Sequence, residues 1–168
     1  EAELLEQMAV FRSRVSIATV EALAGFDALH ELRSLVAKHL VSTVVSDGRA
    51  HYTLPVTVRL FAREQARAAD RDDEQRQRHA HFLLDFLRQW PLAESNSWLD
   101  TIAAIEEHQL EYVAALEWLD GSDQWEAVIE MVGRVTGLWG RLGPATELVR
   151  WATRLGELGG EHLSLIHI

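Results

Sequence analysis

The first part of the chain carries apolar residues at spacings of three and four, which is the pattern of helices that bury one face. This spacing predicts a helix over residues 3–11. A short second helix is predicted after the N-cap candidate Ser16, with Gly25 ending it. A third helix is predicted from its cap, Asp27, to about His39. Three short amphipathic helices are therefore expected to open the chain.

The pattern then changes to a run of β-branched residues from Val41 to Val45, which is typical of a strand. The turn signal Ser46-Asp47-Gly48-Arg49 follows, and His51 to Leu54 returns as a second strand. Pro55 suits the start of the next helix, because an N–H in the first turn has no helical partner to lose. Three helices followed by a β-hairpin predict a winged helix over residues 1–68.

Beyond residue 68 the spacing of apolar residues is helical nearly throughout. A connecting helix is predicted within residues 69–95, and Pro91 stops it. Helix pairs joined by short glycine-containing turns then predict the start of tetratricopeptide-like repeats over residues 96–162. The predicted fold class is therefore mainly α, a winged helix followed by a helical bundle or repeat array. The helices predicted in this half are 71–90, 97–119, 123–141 and 145–158.

The charge distribution argues against a nucleic-acid-binding surface. The formal net charge is −10, and residues 101–168 carry eleven acidic side chains against four basic ones. No cysteine is present, which excludes a disulfide framework and a thiolate metal site. No apolar run approaches the ~20 residues that span a bilayer, and the acidic start EAELLEQMAVF does not fit a signal peptide. We therefore expect a cytoplasmic protein that does not enter a membrane.

Both ends of the sequence suggest a piece of a longer protein. The chain begins without an initiator methionine. It ends in LSLIHI, Leu163 to Ile168, which is what one reading frame of a common sequencing-library transposon end encodes. We therefore expect residues 163–168 to be an adapter artefact and leave them out of the fold prediction. A natural apolar end is the alternative.

Two clusters that contain histidine are candidates for chemistry, but the simpler interpretation of each is a solvated helix surface. His79 and His81 lie about 200° apart around a helix, so they cannot share one metal ion. His108 and Glu111 share a helix face and could do acid–base work, yet a helix surface supplies no pocket. The sequence therefore predicts no catalytic residue, no metal ligand and no enzyme.

Two other sets of residues are candidates for binding a partner. Arg59, Arg63 and Arg67 recur every four residues on one predicted helix and could contact another domain or a phosphate. A solvated stripe is the alternative for these arginines. Trp139 and Trp151 could line the groove of a repeat, although tryptophans between stacked helices are more often core residues.

A winged helix can also bind DNA through its third helix. Here that helix sets Arg33 and Lys38 against Asp27 and Glu31, and its residues do not form a row of base-reading side chains. Direct contact with nucleic acid is therefore not expected. The sequence has no GxxxxGK[ST] loop, which excludes a nucleotide site of that kind in this chain.

Four segments together resemble one known class of proteins. LRSLVAKHLV and HYTLPVTVRLFAREQA are similar to the third helix and to the strand-to-helix segment of the winged helix in signal-transduction ATPases with numerous domains, the STAND class. RHAHFLLDFL resembles the helix that follows in that class, which includes bacterial transcriptional regulators of the LuxR and SARP types. WLDTIAAIEEHQLEYVAALEWL resembles the helix that leads into their tetratricopeptide repeats. The resemblance covers residues 3–160 in the order of the class.

This resemblance implies a non-catalytic regulatory fragment of an ATP-driven switch. The nucleotide-binding domain, with its ATP or ADP, would precede Glu1, and no cofactor is expected in the fragment itself. The expected partners are that domain, further repeats, and an inducer that is a protein or a small molecule. Related proteins carry a methionine-histidine-aspartate motif where this chain has Leu54-Pro55-Val56. The resemblance therefore assigns no nucleotide-contacting residue to this chain. A helical-repeat scaffold that binds peptides and a DNA-binding winged helix remain the alternatives.

Overall fold

The computed structural model describes residues 1–46, 48–89, 108–142 and 145–163, and the side chains of these residues outside 137–142, 145 and 160–163. The chain divides into two compact units, residues 1–82 and 83–168. The fold is mainly α with one small antiparallel sheet, so the predicted fold class is confirmed at this level. The elements are α1 (Ala2–Met8), β1 (Val15–Ser16), α2 (Ile17–Ala24), α3 (Leu29–Ala37), β2 (Ser42–Ser46), β3 (Arg49–Thr53), α4 (Val56–Ala68), α5 (Asp72–Arg88), α6 (Gln109–Gly121), α7 (Trp125–Leu142) and α8 (Ala145–Leu163).

The sheet of the first unit has the strand order β1-β3-β2. The hairpin of β2 and β3 agrees with the predicted pair of strands, and Gly48 in its turn adopts a φ of 73°. The strand β1 was not predicted, because a strand of two residues has no alternation to detect. Val15 pairs with Tyr52, and Ser16 pairs with His51. The sheet therefore joins the segment between α1 and α2 to the hairpin.

The ends of α2 follow from local chemistry. The Ser16 hydroxyl accepts a hydrogen bond from the Thr19 N–H at 3.1 Å, which satisfies a donor of the first turn. Gly25 ends the helix with a φ of 79°, a conformation that glycine adopts without strain. Both predicted caps are confirmed. The predicted cap of the next helix is wrong by one position: Ala28 is the N-cap of α3, although the Asp27 carboxylate still accepts from the Leu29 N–H.

One apolar core holds the first unit together. It draws side chains from α1, α2, α3, β1 and α4, and from the loops that flank these elements. Burial of this apolar area is the main favourable term for folding. The most deeply buried members include Leu4, Val15, Val20, Leu32, Leu35 and Ala62.

The second unit contains the C-terminal part of α5 and the helices α6, α7 and α8. Within the described residues the helix predicted over 97–119 begins only at Gln109, with His108 as its N-cap, and residues 97–107 lie outside the described part. The chain turns after Gly121, and α7 packs against both α6 and α8. The core includes Leu83, Leu87, Tyr112, Leu116, Leu119, Met131, Val135 and Trp151.

Candidate interaction surfaces

The three predicted arginines of α4 make contacts inside the first unit. The Arg59 guanidinium donates to the carbonyl oxygens of Phe11 and Arg12, at 3.1 and 3.0 Å. These two bonds tie α4 to the loop that follows α1. Arg59 therefore has a structural partner in its own unit.

Arg63 and Arg67 share one carboxylate, that of Asp72 in the first turn of α5. Their Nε atoms lie 3.3 and 3.4 Å from its two oxygens. Asp72 is largely buried, while Arg67 remains exposed. Glu64 and Asp70 also lie at helical spacing from arginines of this helix. The turn between α4 and α5 instead brings Asp72 to the arginines, so the stripe stabilises this turn.

The N-terminal half of α4 exposes several large apolar side chains. Val56 and Leu60, one helical turn apart, are both exposed, Leu60 at 63%, and the exposed Phe61 lies beside them. On the hairpin, Val45 is 72% exposed. Sequence reasoning missed this surface, because apolar residues at helical spacing are normally assigned to a core. A group of large exposed apolar side chains on one small unit is typical of an interaction surface.

Trp151 does not face solvent. It lies on α8 with 2% of its surface exposed, and the Arg150 guanidinium is 5.1 Å from its ring centroid. This burial favours the core interpretation over the repeat-groove interpretation. The side chain of Trp139 lies outside the described residues.

The expectation that the histidine clusters are solvated is wrong for three residues. His79 is buried in the first unit, where its ring meets Phe11 edge-on with centroids 5.0 Å apart. His108 is buried in the second unit and meets Phe86 edge-on at 5.5 Å, and Glu111 is 0% exposed. Each turns toward the core because its helix packs on that face. In the described ranges of the chain, no cluster of His, Asp or Glu could hold a metal ion.

Buried Tyr112 follows Glu111 on α6. Burial raises the pKa of its hydroxyl, because the phenolate would lose its hydration. The phenol therefore stays protonated across the physiological range and is not available as a base. A buried, protonated tyrosine fits a packing role better than a catalytic one.

Ion pairs connect the helices of the second unit. Arg150 and Arg154 of α8 reach Glu117 and Asp120 of α6, at 3.2 and 2.9 Å. Another network joins α5 to α7 through Glu130, which accepts from the guanidinium groups of Arg88 and Arg134. The hydrogen bonds from Arg88, and then those from Arg134, lower the pKa of Glu130 to about 2.

We expect the second unit to lose stability as the pH falls from about 5 toward 2, in part through Glu130. A carboxyl group whose pKa is lower in the folded than in the unfolded state stabilises the folded state fully at pH values above its unfolded pKa, about 4.3 for glutamate. This stabilisation is lost as the pH falls toward the pKa of the folded state. The pairs are partly exposed, so a contribution of about 1 kcal/mol is expected. Denaturant unfolding of Glu130→Gln should show a shallower pH dependence than the parent chain. Glu126→Gln, an exposed change on the same helix, is the control, and identical profiles for parent and Glu130→Gln would contradict the assignment.

None of the helices in the described part of the chain is long and apolar enough to cross a membrane. Comparison of the chain with models of known families, with curated protein sequences and with solved structures gave no match.

Proposed function

We propose that this chain is a non-catalytic regulatory segment of a STAND-type transcriptional regulator. Its first unit would be a winged helix that packs on a nucleotide-binding domain encoded upstream. Its second unit would begin a helical-repeat sensor. Binding of an inducer to the repeats would shift the equilibrium between the packed and released states, because a ligand favours the state that it binds more tightly.

The observation that carries this proposal is the topology of the first unit. Its element order, α1-β1-α2-α3-β2-β3, with the strands in the order β1-β3-β2, is typical of a winged helix. The two-residue strand β1 supports this assignment, since it closes the sheet against the hairpin. A winged helix followed by a long helix and a helical unit is also the order that the sequence resemblance implies.

The packing of the second unit supports a repeat. The helix α7 contacts both α6 and α8, and ion pairs join α6 to α8 directly. Helices of tetratricopeptide-like repeats contact one another in this way, each hairpin packing on the next. Stacking of a further hairpin would continue the array.

The exposed apolar face of α4 is the surface that we propose for the nucleotide domain. The arginines of the stripe are engaged within the first unit, so Val56, Leu60 and Phe61 are better candidates for this contact. Apolar anchors that become buried contribute most of the binding energy at interfaces, whereas exposed ion pairs contribute little.

The alternative functions have less support. α3 is the helix that would enter a DNA groove. Its C-cap residue Lys38 pairs with Glu1, and its exposed Leu29 cannot form an ion pair or hydrogen bond with a phosphate. A net charge of −10 adds repulsion from DNA. The peptide-groove alternative is weakened because Trp151, one of the two tryptophans proposed to line the groove, is buried in the core.

A binding assay tests the proposed surface. Binding of this chain to its separately purified upstream nucleotide domain, loaded with ADP, is measured by calorimetry. We expect Leu60→Asp to weaken binding at least about tenfold, because a carboxylate would replace an apolar side chain that becomes buried in the complex. Glu126→Gln, an exposed change on α7 in the second unit, should leave the affinity within about twofold. Unchanged affinity in Leu60→Asp would remove α4 from the interface.

A further inference from the structure

The strand β2 forms one edge of the sheet in the first unit. β3 pairs with it along one side, and no strand in the described part of the chain pairs with its other side. Every second residue of an antiparallel strand directs its backbone N–H and C=O away from the neighbour with which the strand pairs. β2 therefore presents backbone donors and acceptors that another extended segment can pair with.

This edge lacks the features that normally prevent strands from pairing between molecules. Proteins protect the edges of sheets with charged side chains, proline, bulges, or a covering helix or loop. Residues 42–46, STVVS, contain neither a charge nor a proline. Their five pairs with β3 are consecutive, so the strand contains no bulge. Residues 42–45 are all exposed, so no described helix or loop covers them.

The exposed side chains of β2 favour pairing with another strand. Val44 is 41% exposed and Val45 is 72% exposed. Because successive residues of a strand point to opposite faces of the sheet, each face of β2 carries one exposed valine. β-branched side chains pack well against those of a neighbouring strand, so both valines would gain contacts if a further strand were added.

The sequence of β2 is complementary to itself. When two copies overlap fully and run antiparallel, the middle residue Val44 lies opposite Val44 of the second copy. Thr43 then lies opposite Val45, and Ser42 lies opposite Ser46. Small polar residues meet each other and β-branched residues meet each other, with no like charges in contact. A two-fold axis through the Val44 pair generates this arrangement, and two-fold symmetry is the commonest symmetry of protein dimers.

The charge distribution also favours a second copy at this edge. The chain has a formal net charge of −10, so two copies repel each other on average. Between residues 42 and 53, however, the formal charges of Asp47 and Arg49 cancel. The hairpin therefore allows two copies to approach without net repulsion. β2 itself has no charge that would select a charged strand of another protein.

We propose that two copies of this chain associate through antiparallel pairing of their β2 strands, which joins the two sheets into one. Pairing of two five-residue strands buries less than the ~800 Å² per partner that is typical of stable interfaces, so the dimer is expected to be weak. This association goes beyond the proposed function and is independent of it, since the proposed contact with a nucleotide domain uses α4.

Sedimentation equilibrium of the full chain tests the proposal over concentrations from about 10 µM to about 1 mM, where weak complexes form. We expect a reversible equilibrium between monomer and dimer. A monomer at every concentration would overturn the proposal and leave the edge for a strand of another protein.

Two opposite charges at Val44 test whether the strands pair in the proposed register. Val44→Lys and Val44→Glu should each weaken dimerisation at least about tenfold, because like charges then lie directly opposite each other. An equimolar mixture of the two variants should associate again, since a lysine then lies opposite a glutamate. Failure of the mixture to associate, with both variants folded by circular dichroism, would overturn the proposal.

A matched control separates this edge from the general charge of the chain. Val149→Lys adds the same charge at an exposed position of α8 and should change the dimerisation constant less than about twofold. Equal losses of dimerisation in Val44→Lys and Val149→Lys would place the association elsewhere and overturn the proposal.

Discussion

Replacement of Trp151 by alanine is expected to destabilise the second unit by about 3–5 kcal/mol, a large share of the stability of a small folded unit. Trp151 is one of the largest fully buried side chains in the described part of the chain. Its removal would leave a cavity that the surrounding helices can fill only in part. Urea unfolding followed by circular dichroism measures the loss.

Two control variants make this result specific to packing. Val149→Ala, on the same helix but exposed, should change the unfolding free energy by less than about 0.5 kcal/mol. Trp151→Phe retains most of the apolar bulk, and it removes a buried Nε1–H that has no partner among the described residues. We therefore expect a much smaller loss of unfolding free energy than for Trp151→Ala. If Trp151→Ala were as stable as the parent chain, Trp151 would have to face solvent, and the groove interpretation would return.

Replacement of Arg71 by leucine is expected to destabilise the first unit by about 2–3 kcal/mol. Among the described residues, the change would leave the buried Glu6 carboxylate with one 3.5 Å hydrogen bond, donated by Gln75. Breaking a fully buried ion pair costs about 3–5 kcal/mol, and the effect is smaller here because half of the Arg71 side chain is in solvent.

A double-mutant cycle distinguishes the ion pair from lost packing. Adding Glu6→Gln to Arg71→Leu should recover a large part of the stability, because the buried charge is then absent. Arg78→Leu breaks the exposed pair with Glu74 and should change stability by about 0.5 kcal/mol or less. Additive effects of Glu6→Gln and Arg71→Leu would show that the two residues do not interact.

The elements with strong local signals could be predicted from the sequence. Ser16 and Gly25 mark the ends of α2 by side-chain capping and by a left-handed φ, which are effects of single residues. The hairpin followed from a β-branched run and a glycine turn. The strand β1 could not be predicted in this way, since Val15 and Ser16 are extended only because β3 supplies their partners.

The candidate sites depended more on tertiary structure. The arginine stripe was visible in the sequence, but its partner Asp72 became close only through the turn after α4. Burial of His108 and Glu111 could not be inferred from their polar character, because it depends on which face of α6 packs inward. Leu60 is exposed although it is a large apolar side chain on an amphipathic helix. Periodicity identifies a face but not what covers it.

Recovering and sequencing the source DNA on both sides of this segment tests the proposed membership of a STAND-type regulator most directly. We expect a nucleotide-binding domain with a GxxxxGK[ST] loop immediately upstream, and helical repeats that continue downstream in place of LSLIHI. A start codon just before Glu1, with no ATPase domain in the same reading frame, would contradict that membership and leave a small interaction protein.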